Sequence, residues 1–373
     1  MFDSIRRLVS TVVPTVPRQT PAAPAPAPPP AATPSTPYFR DTFQAAPPRL
    51  LDLQGSGRAP VTLPALVDVE GGGGGYEQGE LIHLRTGWTP QGLGYDEATG
   101  ETLTTYYHHE THQVRISIQD KDTGEESGHV ELGGMGADPT IGAPTHGGGV
   151  STDGEFVYVA DTEHIYVYRR EDIDDAAESG ETPVRALHVI DMPSAEGFRD
   201  PATGTQYLSN ASYLTVKDGY VYVGTYSSEK DGVNTDCSVG AVWRFKIGED
   251  GQMAEDSLQG PITAPERAQG MTVVDGAILF TTGKQELIHL PFDEENFTAP
   301  LGGGTDISNG LIDSWAQGIQ IIDGQLWVNY ESGAEQYEDE LDENDTPRTH
   351  LQRIPLEELD LEAVGLEADE LDG

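Results

Sequence analysis

Two nonapeptides of nearly the same sequence stand 48 positions apart in this chain: "AQGMTVVDG" at residues 268–276 and "AQGIQIIDG" at residues 316–324. Weaker copies, which keep either the early glycine or the Asp-Gly end, occur at 90–100, 146–154 and 211–219. The chain therefore contains five units, with 48–65 residues between successive copies. Self-similarity of this kind indicates that one supersecondary unit is repeated.

Each copy is followed by two further runs of β-branched and aromatic residues, such as "QLWVNYES" and then "HLQRIPLE" after the last copy. Short runs of this composition, separated by Asp-Gly turns, are typical of antiparallel strands joined by hairpins. One small sheet cannot bury both of its faces, so such sheets stack around an axis as propeller blades. We therefore predict an all-β fold, a five-bladed β-propeller. Six blades are the alternative, if part of residues 40–75 forms strands.

Glycine in the first strand of each unit has a physical place in this fold. The first strand lines the axis, where adjacent backbones approach so closely that a side chain at every position would not fit.

The sequence also contains a candidate for the strand that closes the ring: "ELIHL" at 80–84 recurs at 286–290 inside the fourth unit. We expect residues 80–84 to form the outer strand of the fifth blade. The segments "GHVEL" (128–132) and "VRALHVI" (184–190) are outer-strand candidates elsewhere.

The ends of the chain differ from its middle. Residues 14–48 hold 12 of the 26 prolines and predict a disordered tether, because they cannot offset their ordering entropy by burial. Residues 1–13 place apolar side chains at helical spacing, so they form either a short amphipathic docking helix or a frayed tail. We further expect an irregular linker with a terminal glycine run at 49–75, the propeller at 76–356, and an acidic tail at 357–373.

Charge narrows the classes of partner. The chain has 63 acidic and 21 basic residues, a formal net charge of −42. A nucleic-acid or anionic-membrane partner is therefore excluded, and cationic partners and divalent cations are favoured.

No stretch reaches the roughly 20 apolar residues of a membrane span. The N-terminal apolar run is too short for a secretory signal, so we expect a cytoplasmic protein, with leaderless export open. The single cysteine, Cys237, excludes an intrachain disulfide and a cysteine-based zinc cluster.

The block "HGGGVSTDGEFVYVADTEHIYVY" (146–168) is similar to strand pairs of the NHL and SMP-30-like propeller superfamily, whose blades often carry an apolar–Asp-Gly–apolar–"VAD" pattern. The resemblance covers about one blade. It implies a propeller and suggests lactonase-type chemistry, which needs a Glu with an Asn and an Asp from separate blades. The aspartates of the Asp-Gly pairs are explained as turn formers. Only Asn210 and Asp161 then remain as candidates.

The repeated first strands bring several polar residues to equivalent positions. A ring of inward amides would contact a polar ligand or an axial ion; alternatively, each amide hydrogen-bonds the backbone of a neighbouring blade, as buried amides require. His146 lies one residue before the ring position of the second blade, where its imidazole would face the axial mouth. The predicted ligand-binding residues at the axial mouth are Gln91, His146, Asn210, Ser212, Gln269 and Gln317.

Two segments are candidates for metal binding. "EQYEDELDENDTP" (335–347) is rich in carboxylates, which hard cations prefer, so we predict a Ca²⁺ site with Glu338, Asp339, Asp342 and Asp345 as ligands. A solvated acidic run is the alternative. "YYHHETHQ" places His108, His109, Glu110 and His112 in a hairpin turn, as either a small surface metal site or an exposed polar turn.

Two classes of function remain. The first, which we favour, is a non-catalytic, monomeric binding or scaffolding propeller, tethered through its N-terminal arm to an assembly or a surface. Its partner would be a protein or a polar small ligand. The second is a divalent-metal-dependent hydrolase of the lactonase or glycosidase type that acts at the axial mouth and uses Ca²⁺.

Overall fold

The computed structural model describes residues 76–371 apart from 193–197, 202, 229–237, 301–303 and 342–344. The predicted arm (1–13 and 14–48), the linker (49–75), Cys237 and Asp342 lie outside the described residues. The first strand, β1, is Tyr76–Glu80. Blade 1 follows with β2 (Trp88–Asp96), β3 (Glu101–His108), β4 (Val114–Asp120) and β5 (Glu126–Gly133).

Blade 2 contains β6 (Gly149–Thr152), β7 (Phe156–Asp161), β8 (His164–Arg169) and β10 (His188–Asp191). Between β8 and β10 lie helix α1 (Arg170–Ser179) and the short β9 (Val184–Arg185), which joins the sheet of blade 1. A small separate sheet is made of β11 (Phe198–Arg199), β12 (Gln206–Tyr207) and β15 (Ser238–Val239). Blade 3 is built from β13 (Tyr213–Lys217), β14 (Tyr220–Gly224), β16 (Ala241–Lys246) and β17 (Gln259–Thr263).

Blade 4 contains β18 (Ala268–Val274), β19 (Ala277–Thr282), β20 (Leu287–Pro291) and β21 (Thr305–Asp306), and blade 5 contains β22 (Ala316–Ile322), β23 (Gln325–Tyr330) and β24 (His350–Pro355). Blade 5 takes β1 as its outer strand, in the order β1-β24-β23-β22. The innermost strands β2, β6, β13, β18 and β22 contact one another in that cyclic order, and β22 returns to β2. The prediction of a five-bladed β-propeller is confirmed.

The closing strand lies four residues earlier than predicted. β1 pairs antiparallel with β24, from Tyr76 opposite Arg353 to Glu80 opposite His350. Residues 81–84 instead form a turn in which Leu81 and Leu84 are both buried against Trp88. These leucines anchor the loop 81–87, and the positive φ of 68° at His83 is not a strand conformation. The expectation of an outer strand at 80–84 is therefore wrong in register, although the end of the chain that closes the ring is the predicted one.

Of the other two outer-strand candidates, one forms a single strand and the other is divided between two blades. Residues 128–132 lie within β5, as expected. The segment 184–190 is divided between two blades: β9 pairs in parallel with β5 of blade 1, whereas β10 pairs antiparallel with β8 as the outer strand of blade 2. The sequence of this segment does not reveal such a division, because both halves are equally compatible with a sheet edge.

Glycines allow the innermost strands to meet at the axis. A Cβ atom on Gly92 would lie 2.6 Å from Cα of Gly149, and one on Gly318 would lie 3.0 Å from Cα of Gly92. On Gly270 it would lie 3.0 Å from Cα of Gly318. The nearest backbone atoms would lie only 2.5 Å from a Cβ atom on Gly92 and 2.2 Å from one on Gly270 or Gly318. Real Cβ atoms essentially never come within 3.0 Å of another atom, so these positions accept only glycine without a shift of the backbone.

The Asp-Gly pairs form the hairpins between first and second strands. Asp218 and Gly219 have φ values of 51° and 74°, and Asp323 and Gly324 have φ values of 50° and 71°. Two successive positive φ angles define the type I′ turn, whose twist matches that of the flanking strands. The interpretation of these aspartates as turn formers agrees with their conformation.

The apolar core is divided among the five seams between neighbouring blades. At the seam of blades 1 and 2, Ile116 and Val130 pack with Val157 and Tyr168. Separate clusters of buried side chains occupy the seams of blades 2–3, 3–4, 4–5 and 5–1. Each blade thus buries both of its faces against its neighbours, which one sheet cannot do alone.

The acidic C-terminal segment packs on the propeller. Residues 356–371 contain three 3-10 turns, Leu356–Glu358, Leu361–Ala363 and Ala368–Glu370. Leu359, Leu361 and Leu371 are buried in the cluster between blades 4 and 5. Leucines scattered among the acids of this segment therefore contribute to the core of the propeller.

Helix α1 is held by a buried charge network. Arg170, 5% exposed, donates hydrogen bonds to Asp96 (2.9 Å), Glu101 (2.5 Å) and Asp174 (2.9 Å). The first two acids belong to blade 1, so the network ties the blade 2 helix across the seam. As far as residues 76–371 are described, no helix is long and apolar enough to cross a membrane.

Crowding at the axis predicts that a single added methyl group will destabilise the protein. We expect Gly318→Ala to lower the free energy of unfolding by about 3 kcal/mol, because the new Cβ would lie 2.2 Å from the backbone nitrogen of Leu93. Gly136→Ala is the matched control, since the nearest atom would be 3.5 Å away in an exposed loop. Urea titrations of both variants measure the difference. Equal stability of the two variants would contradict the role of axial crowding.

Candidate functional site

The repeated Gln-Gly pair marks a β-bulge on the innermost strand. Pairing of β2 with β3 is interrupted between Pro90 and Leu93, and pairing of β22 with β23 between Ala316 and Ile319. In blade 4, the β18–β19 ladder shifts after Ala268, at Gln269. A bulge leaves a residue outside the ladder and re-aims its side chain. The three glutamines therefore occupy equivalent bulges at the end of the axis where the first strands begin, which we call the axial mouth.

The carbonyl groups freed by two of these bulges are bonded by the preceding blade. Thr281 Oγ1 of blade 4 donates to the carbonyl of Gln317 at 2.6 Å. Asn329 Nδ2 of blade 5 donates to the carbonyl of Gln91 at 2.9 Å. Thr281 and Asn329 are each the fifth residue of the second strand of their blade. The bulge therefore carries a side chain-to-backbone bond from one blade to the next.

The side chain of Gln91 holds a carboxylate. Its Nε2 donates to Glu331 Oε2 at 2.8 Å and to the carbonyl of Pro90 at 2.9 Å. Gln91 is 3% exposed and Glu331 is 8% exposed. A carboxylate that is nearly out of water requires charge-assisted hydrogen bonds of this kind. The mouth therefore contains a nearly buried negative group that the Gln91 amide fixes in place.

The loop of blade 5 that carries Gln336 reaches over blade 1. Gln336 Nε2 donates to Thr89 Oγ1 and to the hydroxyl of Tyr107, both at 2.7 Å. The hydroxyls of Tyr107 and Tyr337 lie 3.1 Å apart. The ring of Tyr107 also lies 4.7 Å from the imidazole of His146, measured between ring centroids. We call these side chains, with Gln91 and Glu331, the mouth network; it joins blades 5, 1 and 2.

An aspartate fixes the backbone of the loop that carries His146. Asp161 Oδ1 accepts the backbone N–H groups of Thr145, His146 and Gly147 at 2.9, 2.6 and 3.2 Å. Asp161 is 5% exposed, and three N–H donors match the acceptor capacity of an ionised carboxylate. Asp161, which the sequence left as a lactonase candidate, thus shapes the loop that carries His146.

The remaining predicted mouth residues lie apart from the mouth network. Asn210 lines a shallow cavity with His164, Asp191 and Ser209 between blades 2 and 3. Ser212 Oγ accepts the N–H of Tyr226 at 3.0 Å. Gln317 is 3% exposed, whereas Gln269 is half-buried. The structure therefore pairs Gln91 with the carboxylate of Glu331 and places His146 beside the ring of Tyr107. The ligand role of all six residues stays a prediction.

The predicted calcium ligands have other partners where the structure describes them. Glu338 forms an ion pair with Arg85. Asp345 accepts hydrogen bonds from Ser314 Oγ (2.5 Å) and Trp315 Nε1 (3.5 Å). Asp339 is exposed, and Asp342 is not among the described residues. The Ca²⁺ site stays a prediction.

The histidine-rich turn of blade 1 makes local bonds. His108 Nδ1 accepts a hydrogen bond from the N–H of Glu110 at 3.2 Å. His109 Nδ1 lies 3.0 Å from the carbonyl oxygen of Gly87. The two rings stack with centroids 5.4 Å apart. Burial, followed by the adjacent His109, lowers the pKa of His108. These contacts are those of a polar turn.

Sequence reasoning missed Glu331, Gln336 and Tyr107. A signal existed for two of them: Tyr107 and Glu331 lie at or just after the end of a second strand, which in a propeller meets the beginning of the first strand at the same end of the axis. Gln336 had no such signal, because the path of its loop over blade 1 is a tertiary feature.

No family model and no curated protein matches this chain. Among solved structures, glutaminyl cyclase from Myxococcus xanthus is similar with a TM-score of 0.40 and 13% identity, over 75% of this chain and 94% of that one. Hydrazine synthase from Kuenenia stuttgartiensis gives 0.31 and 12%, over 72% and 86%. The computationally designed Ika8 protein gives 0.29 and 13%, over 70% and 73%. TM-scores this low carry no argument for function, and the resemblance to the NHL and SMP-30-like superfamily stays a prediction.

The bond between blades 4 and 5 gives a direct test of the bulge. Thr281→Val keeps the shape of the side chain but leaves the buried carbonyl of Gln317 without its donor, so we expect a loss of about 1–3 kcal/mol in the free energy of unfolding. Thr305→Val, at an exposed strand position, should change it by less than about 0.5 kcal/mol. Chemical denaturation measures both; a loss as small as the control's would show that the bond adds nothing.

Proposed function

We propose that this protein is a non-catalytic binding propeller that takes a cationic segment of a partner protein at its axial mouth. The observation that carries the proposal is the nearly buried carboxylate of Glu331, fixed by Gln91 at the mouth. A fixed, poorly solvated negative charge attracts a Lys or Arg side chain far more strongly than a solvated surface charge does.

The charge of the whole chain supports a cationic partner. Residues 1–60 carry six Arg and three Asp, so the rest of the chain carries a net charge of −45. A field of this size raises the local concentration of cations and the rate of their association. It would repel an acidic partner for the same reason, so the charge contributes to specificity as well as to rate.

The surroundings of Glu331 can supply hydrogen bonds to such a segment. His146 and Gln336 are half-buried at the edge of the mouth network, and Gln269 is half-buried on the blade 4 bulge. Amide and imidazole groups offer both donors and acceptors to a peptide backbone. Gln269 lies on a strand, and hydrogen bonds to Asp161 and to Thr89 and Tyr107 hold the loops of His146 and Gln336. Such preorganisation lowers the entropy lost when a partner binds.

In this proposal the N-terminal arm has a separate task. Residues 14–48 have the composition of an extended polyproline tether, and residues 1–13 have the spacing of a docking helix. The arm would hold the propeller near an assembly or a surface while the mouth binds its partner. Deletion of residues 1–48 should therefore leave the affinity of the mouth for a soluble peptide unchanged.

The binding test uses a fluorescently labelled Lys-rich peptide, with a Glu-rich peptide of equal length for comparison. We expect saturable binding of the Lys-rich peptide alone, weakened by salt, as measured by fluorescence anisotropy. Glu331→Gln keeps the size of the side chain and a bond to Gln91 but removes the charge, so the affinity should fall by about tenfold or more.

The control variant for this test is Glu249→Gln, which removes one exposed charge from the loop between β16 and β17. It should bind the Lys-rich peptide within about twofold of the unmodified protein, because an exposed single charge is largely screened by salt. If Glu331→Gln and Glu249→Gln bind equally well, or if the Glu-rich peptide binds as tightly, the mouth is not the site of a cationic partner.

The second hypothesis, a divalent-metal-dependent hydrolase at the mouth, is favoured by one observation. The acidic loop that supplies Gln336 to the mouth network also carries Glu338 and Asp339. If the loop binds Ca²⁺, millimolar Ca²⁺ should raise the melting temperature, and a chelator should reverse the rise, since a ligand bound only by the native state stabilises it. Differential scanning fluorimetry measures this. An unchanged melting temperature would argue strongly against this hypothesis, and Mg²⁺ serves as the control for general ionic effects.

A further inference from the structure

Two histidines and a glutamate converge at the place where the ring closes. The loop 81–87, which leads from the closing strand β1 into blade 1, brings His83 against β5, the outer strand of blade 1. His129 Nδ1 lies 3.0 Å from Glu126 Oε1, and His83 Nε2 lies 4.0 Å from the same oxygen. One ligand atom from each of the three side chains lies within 4.8 Å of the other two.

The backbone is irregular at both sides of this cluster. Residues three apart on a regular strand point to opposite faces, yet Glu126 and His129 share one. The reason is a bulge: Ile118 is opposite Gly128 and Gln119 is opposite Glu126, so Ser127 is the extra residue. On the loop, His83 takes a φ of 68° and its carbonyl accepts the N–H of Thr86 at 2.9 Å.

The donor atoms of the cluster are available. Among the described residues, His83 Nε2 is shielded from solvent and has no hydrogen-bond partner. Ser117 Oγ donates to Glu126 Oε1 at 3.2 Å and so orients the carboxylate. The side chains of His83, Glu126 and His129 are 28%, 23% and 40% exposed, which leaves a path from solvent to the cluster.

We propose that His83, Glu126 and His129 bind one Zn²⁺ ion, with a fourth coordination position open to solvent. Two imidazoles and one carboxylate are a ligand set that zinc uses in open sites, at about 2.0–2.2 Å from each ligand atom. Tetrahedral bonds of this length separate the ligand atoms by roughly 3.4 Å, so His83 Nε2, now 4.0 Å from Glu126 Oε1, would move closer, and the 3.0 Å pair of His129 and Glu126 would open slightly. Ca²⁺ takes oxygen ligands, so two imidazoles disfavour it.

The cation nearest to the cluster is already engaged. Arg115 stacks on Trp88, with its guanidinium carbon 3.6 Å from the ring centroid, and lies 3.8 Å from Glu131. Its charge opposes a second cation nearby, whereas the excess of acids in the chain favours one. These two contacts engage the guanidinium, and the carboxylate of Glu126 supplies a negative charge beside the two imidazoles.

The consequence of the site is mechanical. His83 belongs to the loop that follows the closing strand, whereas Glu126 and His129 belong to blade 1. An ion bound by all three would pin this loop to the outer strand of blade 1 and so restrain β1. Because the site exists only in the closed ring, zinc would stabilise the native state.

The test uses the full chain after removal of metals with a chelator. We expect Zn²⁺ to bind with one dominant site by isothermal titration calorimetry and to raise the melting temperature, and Ca²⁺ at equal concentration to do neither. His83→Gln and His129→Gln should each lower the Zn²⁺ affinity by about tenfold or more and abolish the rise. Co²⁺ should give the visible absorption of a four-coordinate site, lost in both variants.

Two histidine variants serve as controls. His164 Nδ1 lies 3.0 Å from Asp191 Oδ1, a similar histidine–carboxylate pair on blade 2, so His164→Gln should bind Zn²⁺ like the unmodified protein. His109→Gln tests the histidine-rich turn in the same way. Circular dichroism without metal confirms that each variant is folded. The proposal is overturned if no zinc binds, if His83→Gln and His129→Gln bind it unchanged, or if His109→Gln alone loses it.

Discussion

The close approach of backbones at the axis is the constraint on which this structure depends. Gly92, Gly149, Gly270 and Gly318 let neighbouring first strands approach so closely that a Cβ atom on any of them would clash with backbone atoms of the next strand. Only this approach permits five blades to close with their apolar faces in contact at each seam, since a wider axis would separate the sheets and open the seams to water. The glycine of each repeated Gln-Gly pair is therefore explained by the crowding of backbones at the axis.

The same solution creates the polar groups at the mouth. A bulge next to a glycine frees a backbone carbonyl and turns the glutamine out of the ladder, and both groups need partners because they are buried. Thr281 and Asn329 supply the partners for two carbonyls, and Glu331 supplies one for the amide of Gln91. The bulge thus fixes the carboxylate of Glu331 in a nearly buried position. The proposed binding function uses this group, which the fold already requires as a partner for Gln91.

Sequence predicted those features that repeat. The blade count, the axial glycines and the Asp-Gly turns follow from a period that appears five times, and each copy supports the others. Features that occur once were missed or misplaced. Identical "ELIHL" segments adopt a strand at 287–290 and a turn at 81–84, because Leu81 and Leu84 find different apolar neighbours from their counterparts. The position of His83 beside His129 depends on that turn and on a bulge, neither of which leaves a local pattern.

Ring closure explains why unusual contacts gather between blades 5 and 1. In blades 1 to 4 the strands come from one continuous stretch of chain or return to it within about 50 residues, whereas blade 5 is completed only when β1, from the other end of the described chain, pairs with β24. If that short pairing frays, the ring opens. Several contacts restrain the loop that follows β1: Leu81 N–H bonds to the carbonyl of Thr349, and Glu335 N–H bonds to that of Leu84. A metal ion on His83 would restrain the same loop from its other side, so the closure, the mouth and the proposed zinc site form one mechanically linked region.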